Sequence, residues 1–155
     1  MLTGPSWDEC SELALARVQA SGAEYGDVRI QESLTQTLTG EDRRIARIRD
    51  QQDRGFGVRV LYRGAWGFAA SSILSLEEVP RVAALAVEIA KGSASLLQDP
   101  VQLAAEPVHH AGVVTAARVD PFAIPLEDKT RLLLETMEAL HRQAGIARST
   151  AALWA

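Results

Sequence analysis

Trp7, Cys10, Leu13, Ala14 and Val18 recur three and four positions apart, the period of one helix face. Ser6 and Glu9 have the Ser-x-x-Glu spacing of a capping box, and Gly22 stands where such a helix would stop. The pattern predicts a helix from Trp7 to about Ala20. From Asp27 to Leu38 the period falls to two. Val28, Ile30, Leu34 and Leu38 share one parity, interrupted by Glu32 and Gln36, and Arg29, Gln31, Ser33, Thr35 and Thr37 take the other. That alternation predicts a half-buried strand with its threonines on the wet face. Between Gly40 and Gly55 the pattern is weak. Ile45 and Ile48 are three apart in a polar segment, and the reading favours a second strand paired with the first by a hairpin.

The run GFGVRVLYRGAWGFAA, Gly55 to Ala70, alternates on both sides of Arg63-Gly64. A two-residue turn there would set Tyr62 against Ala65, Val60 against Gly67 and Val58 against Ala69. Leu61 would then face Trp66, and Arg59 would face Phe68. The first face joins larger side chains to very small ones, which would let a helix approach closely. Arginine is a poor residue for the positive φ of a two-residue turn, so a bulge at Gly64 is the alternative register. Gly55 and Gly57 also invite a phosphate-loop reading. A dinucleotide fingerprint needs a third glycine where Val60 stands, with a helix to follow, and no GK[ST] occurs. They are read as glycines at a strand entry or bulge.

Ser75 and Glu78 form a second capping-box pair before a stripe of Val79, Val82, Ala83, Ala86 and Ile89 or Ala90, with Gly92 as the stop. Two prolines, Pro100 and Pro107, mark a connector, and Val113 to Ala116 predicts a short strand. Leu126, Leu133, Met137 and Leu140 share a helical face between Pro125 and Gly145. The end of the chain, IARSTAALWA, alternates and predicts a strand that is just beginning. The expected fold class is α+β: a mostly antiparallel sheet of hairpin strands packed by about three helices, N-terminal, middle and C-terminal, with an unfinished last strand. The expected organisation is a single domain, 1–155, truncated at its C-terminal end.

Composition narrows the chemistry. A net charge of −4 argues against a nucleic-acid footprint, which needs clustered positive charge. The one cysteine, Cys10, rules out an internal disulfide and suggests a reducing compartment. The N-terminus lacks the basic and apolar regions of a secretory signal, and no apolar run approaches the ~18 residues of a membrane span. A cytoplasmic protein without membrane or nucleic-acid partners is expected.

Candidate catalytic residues are few. His109, His110 and His141 are the only histidines, and there is no H-E-x-x-H or C-x-x-C. Adjacent histidines in a strand would point to opposite faces, so solvated or locally bonded roles are favoured over a metal site. Cys10 lies on the apolar helix stripe and reads as structural. Asp8-Glu9 and Glu77-Glu78 sit in first helical turns, where negative charge complements the helix dipole. Arg43, Arg44, Arg47, Arg49 and Arg54 are nearly balanced by Glu41, Asp42, Asp50 and Asp53, which reads as a solvated, salt-bridged hairpin, with a peptide or subunit contact as the lesser reading. Trp66 and Phe68 read as core packing, with a binding platform as the other possibility. No catalytic, cofactor-binding or metal residue is assigned.

DRGFGVRVLYRGAWGFAAS, Asp53 to Ser71, resembles the N-terminal domain of the TldD/PmbA metallopeptidases, also described as modulators of DNA gyrase. So do ASGAEYGDVRIQES upstream and VDPFAIPLEDKTRLLLE downstream, in the family's order. The GAWGFAA form resembles the TldD branch more than the PmbA branch. The resemblance implies chains about three times longer, a dimer of TldD/PmbA-type subunits enclosing a chamber, and cleavage of unfolded peptides there. It implies a zinc held by an H-E-x-x-x-H helix and a further ligand, in sequence that would follow Ala155. None of those residues is present, so this chain is expected to be inactive alone and to shape chamber and subunit contacts. The alternative is a free-standing interaction module that binds a full-length partner through the edge at Trp154. Small-ligand binding in the angle between sheet and helices is a third reading, with no motif behind it.

Overall fold

The computed structural model describes residues 5–155. The order is α1 (Trp7–Gln19), β1 (Tyr25–Glu41), β2 (Arg44–Tyr62), β3 (Ala65–Ser71), α2 (Glu78–Ala94), a 3-10 turn at Pro121–Ala123, α3 (Leu126–His141) and β4 (Thr150–Trp154). The strands form one antiparallel sheet in the order β3-β2-β1-β4, so the fold is α+β. Residue contacts divide the chain into two compact units. The first is the chain up to Glu32 with Asp53–Val108, the second Ser33–Gln52 with His109–Ala155, and β1 and β2 contribute residues to both.

In the first unit, Ser6 Oγ accepts from Glu9 N at 3.1 Å and starts α1 as its spacing predicts. The Arg63-Gly64 turn is a true two-residue turn. Arg63 takes φ 47° and Gly64 φ 75°, and the pairs Tyr62↔Ala65, Leu61↔Trp66, Val60↔Gly67, Arg59↔Phe68 and Val58↔Ala69 all form. The turn therefore accepts the strained arginine and no bulge shifts the register. Its small residues admit a helix. A Cβ on Gly67 would collide with the carbonyl oxygen of Ala86 and stand 2.5 Å from Ala90 N, so α2 lies directly on β3. Val79, Val82, Ala83, Ala86 and Ala90 of α2 are buried against Val58, Val60 and Ala69, and Cys10, Ala14 and Val18 of α1 complete the core. Val28 and Ile30 pack on its margin.

The second unit has a smaller core. Leu38 and Met137 are fully buried and Leu133 nearly so. A Cβ on Gly40 would meet the methyl end of Met137, so the bare glycine backbone gives α3 its seat on β1. β4 pairs antiparallel with β1, Thr150↔Glu41 through Trp154↔Thr37, and Ala155 adds two backbone bonds to Gln36 at 2.9 Å.

Several expectations need correction. β2 is one continuous strand, so Gly55 and Gly57 lie inside it rather than at an entry. The strand expected at Val113–Ala116 does not form; Val113 and Val114 are 93% and 90% exposed on irregular chain, with no neighbour to reward an extended pairing. Leu34 has the parity of Val28 and Ile30, yet it is 54% exposed. α2 runs past Gly92 to Ala94, because Gly92 stays helical and its Cβ position is open space. On α3 the buried stripe is Lys129, Leu133 and Met137, while Leu126 and Leu140 sit at its margin.

Candidate functional site

A Cβ on Gly57 would stand 2.8 and 2.9 Å from the ring of Phe68, so the glycine makes room for that ring to lie across the strand. With Gly67 turned to α2, strand alternation puts Trp66 and Phe68 on the opposite face. Phe68 is 59% exposed and Trp66 half-buried, which corrects the core-packing reading of the pair. Around Trp66 a compact cluster forms. Tyr25 meets it edge-on, with ring centroids 5.8 Å apart at 86°. The Arg59 guanidinium lies 4.8 Å from the Trp66 centroid and 6.0 Å from that of Tyr25. Arg59 Nε donates to Asp27 Oδ2 at 2.7 Å, and this bond holds the guanidinium firmly in its charged form. Arg29 approaches the other oxygen of Asp27 at 3.4 Å. The cluster is a half-buried aromatic surface on which two arginines share the Asp27 carboxylate.

The other singled-out residues serve structure. Cys10 is buried, and burial, reinforced by the Glu9 carboxylate against the pull of Arg54, raises its thiol above the ordinary value; it rests as a thiol, not a nucleophilic thiolate. Ser75 Oγ caps Glu78 N at 3.1 Å, but the Glu78 carboxylate does not return to the cap. It accepts two bonds of 2.7 Å from Arg81 instead, and these, with a bond from Ser71, hold its pKa at about 2. The hairpin arginines are exposed as expected, yet described ion partners lie off the hairpin: Arg43 pairs with Glu138 of α3 at 3.7 Å, and Asp42 with Arg148 at 3.7 Å. Asp50 accepts from Gln36 at 2.8 Å.

Sequence reading passed over Lys129. It is only 4% exposed, and its ammonium donates to Gln36 Oε1 while lying 5.9 Å from the Phe122 ring centroid. No local signal marks it, because its partner is 93 positions away.

His109 and His110 are exposed on irregular chain, and His141 ends α3 beside Asp42. Among the described residues, no three His, Cys, Asp or Glu side chains gather where they could hold a metal ion. No helix among them is long and apolar enough to cross a membrane.

Residues 26–90 match the family described as PmbA/TldA metallopeptidase domain 1. They span β1, β2 and β3 and most of α2. The chain resembles the N-terminal domain of the TldD/PmbA family. A metalloprotease of Methanocaldococcus jannaschii is 28% identical over 113 residues, which cover 73% of this chain and 25% of that protein. A metalloprotease of Methanothermobacter thermautotrophicus is 28% identical over 75% of this chain and 24% of its own length. The chain therefore spans about a quarter of these relatives. The fold recurs in a solved structure of a candidate modulator of DNA gyrase from Bacteroides thetaiotaomicron, with TM-score 0.73 and 14% identity over 95% of this chain and 34% of that one. A similar candidate from Thermotoga maritima gives TM-score 0.71 at 12% identity, covering 96% of this chain and 33% of that one. TldE of Thermococcus kodakarensis gives 0.55 at 13%, covering 91% and 33%.

Proposed function

We propose that this chain is a non-catalytic first domain of a TldD-like, zinc-dependent peptidase, and that it shapes the chamber and subunit contacts of the whole protein. The observation that carries the reading is the match of residues 26–90 to a metallopeptidase first domain, together with a metalloprotease relative of which the aligned stretch covers only 25%. The sequence holds no H-E-x-x-x-H pair of ligands and base, so peptide hydrolysis belongs to sequence of the family's later part. In the full-length protein zinc would supply the activated water. The setting of the reading is cytoplasmic, with a second TldD/PmbA-type subunit as partner and unfolded peptide as substrate. The test is a peptide-cleavage assay of the 155-residue chain with zinc supplied. No turnover is expected, and chelator-sensitive turnover overturns the proposal.

One feature favours a second reading, an interaction module acting on a full-length partner. β4 forms one end of the sheet order, and Trp154 on it is 72% exposed. A partner strand added there would cover that ring. Pull-down by a full-length TldD-like protein that is lost in Trp154→Ala would support it; unchanged capture would sink it.

A further inference from the structure

In the first unit, α1 and α2 both pack on the Val58 and Val60 side of the sheet. The other face carries no helix among the described residues of that unit, and its side chains come from three strands. Tyr25, Asp27 and Arg29 stand on β1, Arg59 on β2, and Trp66 and Phe68 on β3. Trp66 is already engaged, by the Tyr25 ring edge-on and by the Arg59 guanidinium. Phe68 takes no such contact among the described residues. Its ring lies over the bare Gly57 backbone, and most of the residue meets solvent. Charge on this face does not balance. Arg59 Nε donates to Asp27 Oδ2 at 2.7 Å, whereas Arg29 comes only to 3.4 Å from Oδ1, with 78% of its side chain exposed. Two guanidiniums thus share one carboxylate. No other charged residue of this parity stands on β1 from Tyr25 to Gln31, on β2 from Gly55 to Leu61, or on β3. Phe68 and Arg29 have β2 between their strands, a distance of about 10 Å. One compact ligand group cannot meet both, but an extended chain covers that distance in about three residues.

We propose that this face docks an unfolded peptide, laid across the strands in extended form, with an apolar side chain on Phe68 and a carboxylate against Arg29. The proposal deepens the peptidase reading and rests on it for the source of the peptide. The recognition itself is carried by this domain's own ring and spare guanidinium. A net charge of −4 opposes acidic ligands in general, so a preference for one here has to come from the local excess of positive charge. One ring and one cation ask for a pattern of side chains rather than for a sequence.

The test titrates the 155-residue chain with a blocked peptide, Phe-Ser-Asp-Ser-Phe-Ser-Asp, whose phenylalanines and aspartates share one side of an extended chain. A second peptide has lysine in place of each aspartate. NMR follows the Trp66 indole N–H and the Arg59 Nε–H. Both signals should move with the aspartate peptide and much less with the lysine peptide. Phe68→Ser should weaken binding about tenfold. Arg29→Glu should reverse the preference between the two peptides. Both positions are exposed, so the variants leave the core intact, and the comparison of two peptides on the wild type stands without them. Signals that stay still up to about 1 mM peptide overturn the proposal. So do equal shifts with both peptides, or an affinity untouched by Phe68→Ser. Self-association of the chain that Phe68→Ser abolishes would give the face to a second copy and overturn it too. None of these outcomes bears on the peptidase reading, which the cleavage assay with zinc decides.

Discussion

Gly67 of β3 lies so close under Ala86 of α2 that a single added carbon would collide with the Ala86 carbonyl oxygen. The obstacle is helix backbone, which cannot swing aside as a side chain can. Gly67→Ala must therefore push α2 off the sheet and loosen Val79, Val82, Ala83, Ala86 and Ala90 together. Overpacking of this kind costs about 1–3 kcal/mol, and rigid backbone puts this site at the upper end. The denaturant midpoint should fall clearly. An unchanged midpoint would mean that α2 does not rest on β3 as described.

Gly40 offers the contrast. The atoms a Cβ would meet there belong to the flexible end of Met137, with Arg44 O next at 3.3 Å. Met137 can change rotamer to make room. Gly40→Ala should therefore cost less than Gly67→Ala in the same denaturation experiment. Met137→Ala should cost more than Gly40→Ala, about 2–5 kcal/mol, because Met137 is fully buried and its loss leaves a cavity in a small core.

Buried Lys129 and its half-buried acceptor Gln36 make an asymmetric prediction. Gln36→Leu leaves the Lys129 ammonium buried without its acceptor, whereas Lys129→Met removes the charge and keeps the stem. A hydrogen bond to a charged group contributes about 1.5–3 kcal/mol, and an orphaned partner costs more than a removed pair. Gln36→Leu should be the more destabilising change, and the double variant should recover part of its loss. Equal losses in both single variants would show that the bond contributes little.

What the sequence made legible follows the range of the physics. The Arg63-Gly64 hairpin could be read pair by pair because its register depends on a two-residue turn and alternation next to it. The helix starts were legible because a serine hydroxyl and an amide three residues on are enough to define them. Arg44 to Arg54 was harder, since a strand wet on both faces shows no period of two. Val113 and Val114 misled for the opposite reason: valines imply burial, and here they stand in the open. The Trp66 cluster depended on knowing which face α2 covers. Asp42 with Ser149 is a contact across 107 positions, and no local pattern points to it.

Glu78 carries a pH dependence whose sign is fixed by its bonds. Arg81 first, then Ser71, hold its carboxyl at about 2, below the ordinary 4.5. A depressed carboxylate stabilises the fold above its ordinary value, and that contribution is lost as pH falls from about 4.5 through about 2. Glu78 is half-buried but its partner Arg81 is exposed, so the effect is modest and weakens with salt. Glu78→Gln should lower the denaturant midpoint slightly at pH 7 and leave it close to wild type near pH 2. Arg81→Gln should return the Glu78 titration, followed by carboxyl-carbon NMR, most of the way to the ordinary range. A Glu78 carboxyl that titrated normally in the wild-type chain would show that the paired bonds to Arg81 do not persist in solution.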